Sequence, residues 1–342
     1  MSTSSLPRTP VDDTIILGRS DVARLLPMPD CIEAVEHAFI DHANGRTIPP
    51  AVLGVHVDGG GFHVKAAGIA ASDGRAARFA AKVNANFPAN PAALGLPTIQ
   101  GIIALFSATD GRVLALMDSI EITSLRTGSA TAVAAKHLAP ARSVVTIVGC
   151  GEQSRYQLRA LSCVRSLERI QAIDIDNARA TRFASDVKRE LGLDVTLLRS
   201  VDDASPDTTI WVTCTSARRW FLGREHVGRG AFVAAVGADN PDKQEIEPAL
   251  LAASAVVADI LDQCATIGDL HHALAAGVMR RDDVRAELAE VVSGQKRGRR
   301  SDGEIVVFDS TGTALQDVAA ASLVYDRAIT HGMGLAIALG RS

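Results

Sequence analysis

Two basic side chains stand among small or apolar residues, where a side chain that is merely solvated is not expected. Lys82 lies within the β-like run Phe79–Asn84, and Arg126 lies near the start of the Ala-, Ser- and Thr-rich segment Leu125–Ala130. A guanidinium can hold a carboxylate through two parallel hydrogen bonds, and an ammonium adds a point charge. Structural explanations stay open, because a lysine can bury only its stem and an arginine can lie at the surface. We predict that Arg126 binds a carboxylate and that Lys82 is a candidate functional residue.

Two further polar segments directly follow β-like runs. Asp239 lies in Val236–Pro241, and Ser310 and Thr311 come after an apolar run and lead into a helical segment. Parallel sheets bind ligands at the carboxyl ends of their strands. Asp239 is therefore a candidate general acid or base, and either hydroxyl is a candidate contact to a nicotinamide ring. The alternatives are an Asx turn ahead of the proline and a helix N-cap.

A glycine turn follows a strongly apolar run of the chain. Gly149 and Gly151 stand between Val144–Val148 and a helical segment, and Ser154 occupies the position of the third fingerprint glycine. The first glycine permits a tight turn, and the second lets a pyrophosphate approach the helix N-terminus. Asp174 follows at the distance typical of an acid that binds ribose hydroxyls. No arginine comes directly after it, so NAD is favoured over NADP; a βαβ unit without a dinucleotide is the alternative.

Apolar runs and helical segments alternate from Ser143 onward, which predicts an α/β fold with a Rossmann-type doubly wound parallel sheet. We place this dinucleotide-binding domain at residues 131–311, inserted in a discontinuous α+β domain of residues 1–130 and 312–342. The strands of the sheet are predicted at Val144–Val148, Ile170–Ile173, Val195–Leu198, Ile210–Cys214, Phe232–Val236, Val256–Ala258 and Ile305–Phe308.

The flanking domain begins with a predicted helix at Asp21–Asn44, and Pro49-Pro50 is expected to end regular structure. Three consecutive glycines at 59–61 predict a hairpin between the first two of its strands. A final helix, Leu315–His331, is expected to return to this domain. The other elements are strands at Ala51–Val57, Phe62–Ala66, Arg78–Asn84, Ile99–Ser107 and Val113–Asp118, and a helix at Ile122–Leu138.

Composition excludes several classes of function. The 342 residues carry a net charge of −4, and the basic run Lys296–Arg300 is short, so no nucleic-acid partner is expected. No apolar run is long enough to span a membrane, and the polar start, Met1–Pro10, lacks a signal core. Five scattered cysteines form no metal-binding spacing, so we expect neither a metal nor disulfides. The expected location is the cytoplasm.

Together the polar segments resemble the ornithine cyclodeaminase/μ-crystallin family, from about residue 15 to residue 335. The resemblance implies a homodimer whose discontinuous domain supplies dimer contacts and substrate-binding groups. It also implies that Lys82 and Arg126 hold the substrate carboxylate and that Asp239 handles protons near the amine. The matching motifs are KVNANFPANPAALGLPT from residue 82, ALMDSIEITSLRTGSA from 115, GCGEQS from 149, VGADNPDKQEI from 236 and FDSTGTALQDV from 308. The cofactor-contacting positions carried over are Thr127, Gly149, Gly151, Glu152, Gln153, Asp174, Thr215, Ser216, Gly237 and Ser310.

The chain departs from the family pattern in two places. Members often carry a basic residue after the Pro-Pro segment, where this chain has Ala51; Arg46, just upstream, is a candidate replacement. Ornithine-handling members place an acid before a Met-Pro pair, whereas this chain has His63 and Lys65 there. Period-two alternation directs these two side chains to one face of a strand. If they do not face solvent, they favour an acidic substrate over a diamino acid.

The sequence thus predicts an NAD-dependent imine reductase or amino-acid dehydrogenase. Hydride would pass between the nicotinamide and the α-carbon of an amino acid or its imine, and the candidate substrate is iminosuccinate or aspartate. Two alternatives stay open. One is an ornithine or lysine cyclodeaminase that releases ammonia, and the other is a non-catalytic, crystallin-like protein that binds a small ligand.

Overall fold

A computed structural model describes residues 13–72 and 74–339; the predicted polar start, Met1–Pro10, lies outside the described residues. The chain divides into two compact units. Unit one contains the described residues up to Ala34, then Gly45–Thr123, then the described residues from Ala314 onward. Unit two contains Val35–Asn44 and Ser124–Thr313. The domain boundaries predicted at 130/131 and 311/312 stay predictions.

Strands and helices are numbered separately along the chain. The strands are β1 Thr14–Leu17, β2 Thr47–Val57, β3 Gly60–Ile69, β4 Arg78–Asn86, β5 Ile99–Ser107, β6 Val113–Asp118, β7 Val144–Val148, β8 Arg169–Ile173, β9 Val195–Leu198, β10 Ile210–Thr213, β11 Arg218–Leu222, β12 Phe232–Ala235, β13 Gln244–Ile246, β14 Ala255–Ala258, β15 Ala286–Glu287, β16 Val306–Asp309 and β17 Leu335–Ile337. The α-helices are α1 Arg19–Leu25, α2 Met28–Ala43, α3 Asn90–Leu94, α4 Ser119–Leu138, α5 Glu152–Val164, α6 Asn177–Leu191, α7 Pro248–Ala252, α8 Leu261–Ile267, α9 Asp269–Ala275, α10 Leu288–Val292 and α11 Ala314–His331. Single 3₁₀ turns lie at Val201–Asp203 and Arg281–Asp283.

Unit one is built on a seven-stranded sheet in the order β17-β1-β6-β5-β4-β3-β2. Its strands pair antiparallel except for β1 with β6. The predicted hairpin at the three glycines is confirmed, because β2 and β3 pair directly around it. Helix α11 packs on β3 and β4, as expected for a final helix that returns to this part of the fold.

Two predictions for unit one were wrong. The helix predicted from Asp21 to Asn44 is two helices, α1 and α2, since the chain leaves helical geometry at Leu26 and Pro27. Pro49 and Pro50 do not end regular structure, because β2 runs through them with a register irregularity between Ile48 and Ala51. Strand β2 lies at the edge of the sheet, where a residue without an N–H group costs no ladder hydrogen bond.

Unit two is built on an eight-stranded parallel sheet in the order β15-β14-β16-β12-β10-β7-β8-β9. The order reverses on either side of β7, so this is the predicted doubly wound, Rossmann-type sheet. All five residues of β7 are buried, as its uninterrupted apolar sequence requires. The small sheet of β11 and β13 was not predicted. Among the described residues, no helix is long and apolar enough to cross a membrane.

Candidate functional site

The glycine turn after β7 has the geometry that its sequence predicts. Gly149 has φ +94°, and a Cβ there would lie 2.8 Å from the carbonyl oxygen of Cys214, so only glycine fits without strain. Gly151 is the N-cap of α5, and a Cβ at Gly151 would meet no atom within 4 Å. The first N–H groups of a helix lack partners within it and attract anions. The turn can therefore receive an anionic group of a ligand.

Asp174 supports this turn from the end of β8. One carboxylate oxygen accepts a hydrogen bond from the Cys150 N–H at 2.7 Å, and the other accepts from the Asp176 N–H at 2.8 Å. Burial and the nearby Asp174 charge raise the pKa of the Cys150 thiol to about 12, so it stays neutral at physiological pH. The predicted contact between Asp174 and a ribose stays a prediction, and the structure adds its role in holding the turn.

Helices α4 and α5 meet closely beside the turn. A Cβ at Gly128 would lie 2.6 Å from the Tyr156 carbonyl oxygen, which explains glycine in the middle of α4. The Gln153 side chain on α5 donates a hydrogen bond to the Ser124 carbonyl oxygen on α4 at 3.3 Å. Thr127 is half-buried next to Gly128, whereas Glu152 is exposed in the first turn of α5. Thr127 and Gln153 are thus brought to one helix crossing.

Three further predicted residues follow the ends of β10 and β12. Thr215 is half-buried, Ser216 is exposed and Gly237 is buried. The buried carboxylate of Glu245 accepts hydrogen bonds from the Thr215 N–H at 2.6 Å and the Gly237 N–H at 2.8 Å. Thr215 and Gly237 are therefore held together by one side chain that the sequence did not single out.

The segment after β16 brings Ser310 and Arg126 into the same part of unit two. Ser310 is 2% exposed, and its hydroxyl oxygen has no hydrogen-bond partner among the described residues. Gly312 has φ +76°, and a Cβ there would lie 2.4 Å from Arg126 Nη1. The guanidinium of Arg126 is buried, so the surface alternative for this arginine was wrong.

Asp239 lies on the loop after β12, with half of its side chain exposed. Its carboxylate accepts a hydrogen bond from Lys243 Nζ at 2.8 Å. The Asx turn that the sequence left open is made by Asn240, whose side chain accepts from the Asp242 N–H at 3.1 Å. Asp239 is thus accessible to solvent and has a cationic neighbour, an arrangement compatible with a proton-exchange role.

The polar face of unit one lies on β3 and β4. Lys65 is opposite Lys82 in the antiparallel register, and His63 is opposite Asn84. Lys65 and Lys82 are only 8% and 3% exposed, so the solvated alternatives for these two lysines were wrong. We call these four residues the cationic face.

Lys82 Nζ lies 2.7 Å from Asp317 Oδ2 in the first turn of α11, and both side chains are buried. An ion pair fixes the position of the ammonium and compensates its charge in a site from which water is largely excluded. Asp317 belongs to the FDSTGTALQDV motif, but the sequence offered no signal that pairs it with Lys82.

The backbone of Arg46 lies away from the cationic face along the sheet. It precedes β2, and its carbonyl oxygen accepts a hydrogen bond from the Ala70 N–H, five residues beyond Lys65 along the chain. At about 3.3 Å per residue, the two positions are separated by roughly 17 Å of chain. The replacement of the basic residue missing at Ala51 by Arg46 stays a prediction that the register does not support.

A model of the ornithine cyclodeaminase/mu-crystallin family matches residues 12–332. The chain belongs to this family. It is 36% identical over 323 residues to an alanine dehydrogenase of Archaeoglobus fulgidus, which covers 94% of this chain and 97% of the relative. The family resemblance seen in the sequence is therefore confirmed.

Two solved structures of family members are closely similar in fold. An archaeal alanine dehydrogenase dimer with bound NAD superposes with a TM-score of 0.89 at 35% identity, covering 95% of this chain and 99% of the other. The iminosuccinate reductase of Paracoccus denitrificans, in complex with NAD⁺, superposes with a TM-score of 0.85 at 31% identity, covering 95% and 99%. Both similarities extend over nearly the whole chain.

Proposed function

We propose that the chain is an NAD-dependent oxidoreductase that interconverts an amino acid and its imine, and that its substrate is a dicarboxylic imine such as iminosuccinate. The observation that carries the substrate choice is the cationic face, where two buried lysines lie directly opposite each other. The reaction class is supported by similarity to an alanine dehydrogenase and an iminosuccinate reductase.

Unit two offers the features that a dinucleotide needs. The open N-terminus of α5 at Gly151 fits a pyrophosphate. The Ser310 hydroxyl, which has no partner in the part of the chain that the structure describes, offers a buried hydrogen-bonding group. Thr127 lies on α4, Gln153 on α5, Thr215 after β10 and Gly237 after β12, and these residues would hold NAD. Bound NAD would accept hydride from the amino acid, or NADH would supply it to the imine.

The end of β8 favours NAD over NADP. Backbone hydrogen bonds, the first of them from Arg179, lower the pKa of Asp176, so this exposed carboxylate is ionised at neutral pH. Asp174 lies two residues before it, and Ile175 between them is fully exposed. A 2′-phosphate would meet negative charge there, which the 2′-hydroxyl of NAD avoids.

The cationic face suits a substrate with two carboxylates. Like charges opposite each other on neighbouring strands repel, and Asp317 forms an ion pair with Lys82. A second carboxylate would relieve the repulsion at Lys65, whereas the distal ammonium of ornithine would add to it. We assign Lys82 to the α-carboxylate and Lys65, with His63, to the side-chain carboxylate. Arg126 keeps its predicted role as a carboxylate-binding residue.

We also propose a homodimer formed through the opposite face of the same sheet. Leu53, Val64, Val83 and Ile102 form one row across β2, β3, β4 and β5. Leu53 is 59% and Ile102 is 50% exposed, an unusual display of aliphatic surface for a free subunit. A second copy would cover the row, as the dimeric state of the alanine dehydrogenase relative supports. Ile102→Asp should yield monomers in sedimentation velocity; an unchanged dimer would contradict this interface.

The substrate proposal is tested by reductive turnover. Oxaloacetate with ammonia, which form iminosuccinate, should support oxidation of NADH in preference to NADPH. Lys65→Glu should raise the KM for this substrate at least tenfold while leaving pyruvate with ammonia little affected, because only the former has a second carboxylate. Lys65→Met is the matched control for loss of the charge without its reversal, and it should fall between wild type and Lys65→Glu.

Other outcomes would identify the alternatives. If the ratio of the KM values for oxaloacetate with ammonia and for pyruvate with ammonia is unchanged in Lys65→Glu, the assigned selectivity is contradicted. Formation of proline from ornithine without net NADH would identify a cyclodeaminase. Tight NADH binding with no turnover of any amino acid, 2-oxo acid or imine would identify a non-catalytic ligand-binding protein.

A further inference from the structure

Four carboxylate residues are completely buried toward the carboxyl ends of the parallel strands of unit two. They lie within β13, directly after β14, at the first residue of α9 and at the last residue of β16. They are Glu245, Asp259, Asp269 and Asp309, each 0% exposed. Within the described part of the chain, no three His, Cys, Asp or Glu side chains are arranged to hold a metal ion. These acids therefore need another explanation.

The four residues form a continuous hydrogen-bonded chain. The Asp269 carboxylate accepts from the main-chain N–H groups of Glu245 at 2.8 Å and Ile246 at 2.9 Å. The Asp309 carboxylate in turn accepts from the N–H of Asp269 at 3.3 Å, and the Asp309 carbonyl oxygen accepts from the N–H of Asp259 at 3.0 Å. The first two links are made by carboxylates and the third by a main-chain carbonyl group, and we call the set the carboxylate chain.

The Glu245 end holds the loops after β10 and β12. Its carboxylate accepts from the Thr213 hydroxyl at 2.7 Å, the Thr215 N–H at 2.6 Å and the Gly237 N–H at 2.8 Å. A Cβ at Gly237 would lie 2.4 Å from the same carboxylate, so the glycine is required by this contact. A glutamine side chain has the same size but only one acceptor oxygen, so it cannot accept all three hydrogen bonds in this arrangement.

The Asp259 end holds the loop after β16. Its two carboxylate oxygens accept from the Gly312 N–H at 2.7 Å and from the Thr311 hydroxyl at 3.0 Å. These residues directly follow Ser310, whose buried hydroxyl is unpartnered among the described residues. The two ends of the carboxylate chain thus reach loops that carry Thr215, Gly237 and Ser310, all of which belong to the proposed dinucleotide site.

Burying these acids is costly, which points to a role other than stability. Burial raises the pKa of Glu245, and it raises the pKa of Asp269 well above the ordinary value. Apolar residues of similar volume could fill such positions without this penalty. The loops they hold, however, would lose the hydrogen bonds that these carboxyl groups accept from backbone N–H groups.

We infer that Glu245 and Asp259 are positioning residues for dinucleotide binding: from the two ends of the carboxylate chain they fix the three loops that contact the cofactor. The inference rests on the proposed NAD site, although neither residue touches the ligand itself. Glu245→Gln leaves one acceptor oxygen where two are used, so the Thr215 loop or the Gly237 loop is released. Asp259→Asn has the same effect on Thr311 or Gly312.

The first measurement is the NADH dissociation constant, determined from the fluorescence of the bound nicotinamide. Loss of a hydrogen bond to a charged acceptor should raise it about ten- to hundredfold in Glu245→Gln and in Asp259→Asn. At saturating NADH, the KM for the imine should change less than twofold in Glu245→Gln, whose loops do not contact Arg126. The matched control is Thr208→Val, which removes buried hydrogen bonds to Thr146 and Gln171 before β10 and should leave NADH affinity unchanged.

The second measurement does not depend on the cofactor. Hydrogen exchange should speed up at the amide of Thr215 or of Gly237 in Glu245→Gln, and in the segment of Thr311 and Gly312 in Asp259→Asn, but not in Thr208→Val. If NADH does not bind the wild type, the proposed function fails, while the exchange pattern still tests the carboxylate chain. Faster exchange without weaker NADH binding, or equal losses of affinity in all three variants, would overturn the positioning role.

Discussion

Removal of one partner of the buried ion pair in unit one should be strongly destabilising. Lys82 Nζ and Asp317 Oδ2 are 2.7 Å apart, and the side chains are 3% and 2% exposed. At an effective dielectric constant of about 20, the gross attraction at this distance is about 6 kcal/mol. Desolvation of the two ions offsets much of it. Asp317→Asn leaves the ammonium buried without its carboxylate, so the free energy of unfolding should fall by about 3–5 kcal/mol.

Urea unfolding followed by far-UV circular dichroism measures the loss, and hydrogen exchange in α11 and β4 locates it to unit one. The control is the double variant Lys82→Met, Asp317→Leu, which removes both charges and keeps an apolar filling. It should recover most of the stability while turnover stays lost, because Lys82 is assigned to the substrate. A loss below about 1 kcal/mol in Asp317→Asn would refute the view that this carboxylate compensates a buried charge.

Three further predictions concern unit two. Burial raises the pKa of Asp309 to about 7 from 3.8, so the folded state binds this proton more tightly than the unfolded state does. The free energy of unfolding should therefore fall as the pH rises from about 4 to about 7. In urea titrations at a series of pH values, Asp309→Asn should flatten this part of the curve. Gly312→Ala should cost about 1–2 kcal/mol from its positive φ alone, and it should raise the substrate KM by displacing Arg126; an unchanged KM would contradict that contact. Asp239→Asn should lower kcat at least tenfold with less than about 1 kcal/mol lost in thermal unfolding, since its pair with Lys243 is exposed.

The sheet of unit two was predictable because strands buried on both faces must be apolar throughout. Val144–Val148 and Val195–Leu198 have identical bounds in the sequence prediction and in the structure, and the other predicted strands of the sheet differ by one residue at one end or at both. Unit one was less predictable. Its edge strand β2 runs through two prolines, because pairing with β3 outweighs the tendency of proline to end a strand. Its first helical stretch is interrupted at Leu26 and Pro27.

Candidate site residues could be found wherever a local pattern carries the information. Alternation along β3 placed His63 and Lys65 on one face, and the strand–glycine–helix order located the turn at Gly149. No local pattern relates Lys82 to Asp317, because the pairing depends on α11 returning to a sheet formed by a distant part of the chain.

Asp174 and Glu245 show why motif positions alone give an incomplete account of such a site. The sequence assigns Asp174 to the ligand, yet both of its oxygens hold backbone N–H groups around the glycine turn. Glu245 lies within a family motif without any predicted role, yet it holds two loops at once. A carboxylate that fixes backbone amides decides where the ligand-binding N–H and hydroxyl groups can point, and it does so before any ligand arrives. Acids at the carboxyl ends of these strands therefore contribute to binding through the loops they hold, even where they never touch the bound molecule.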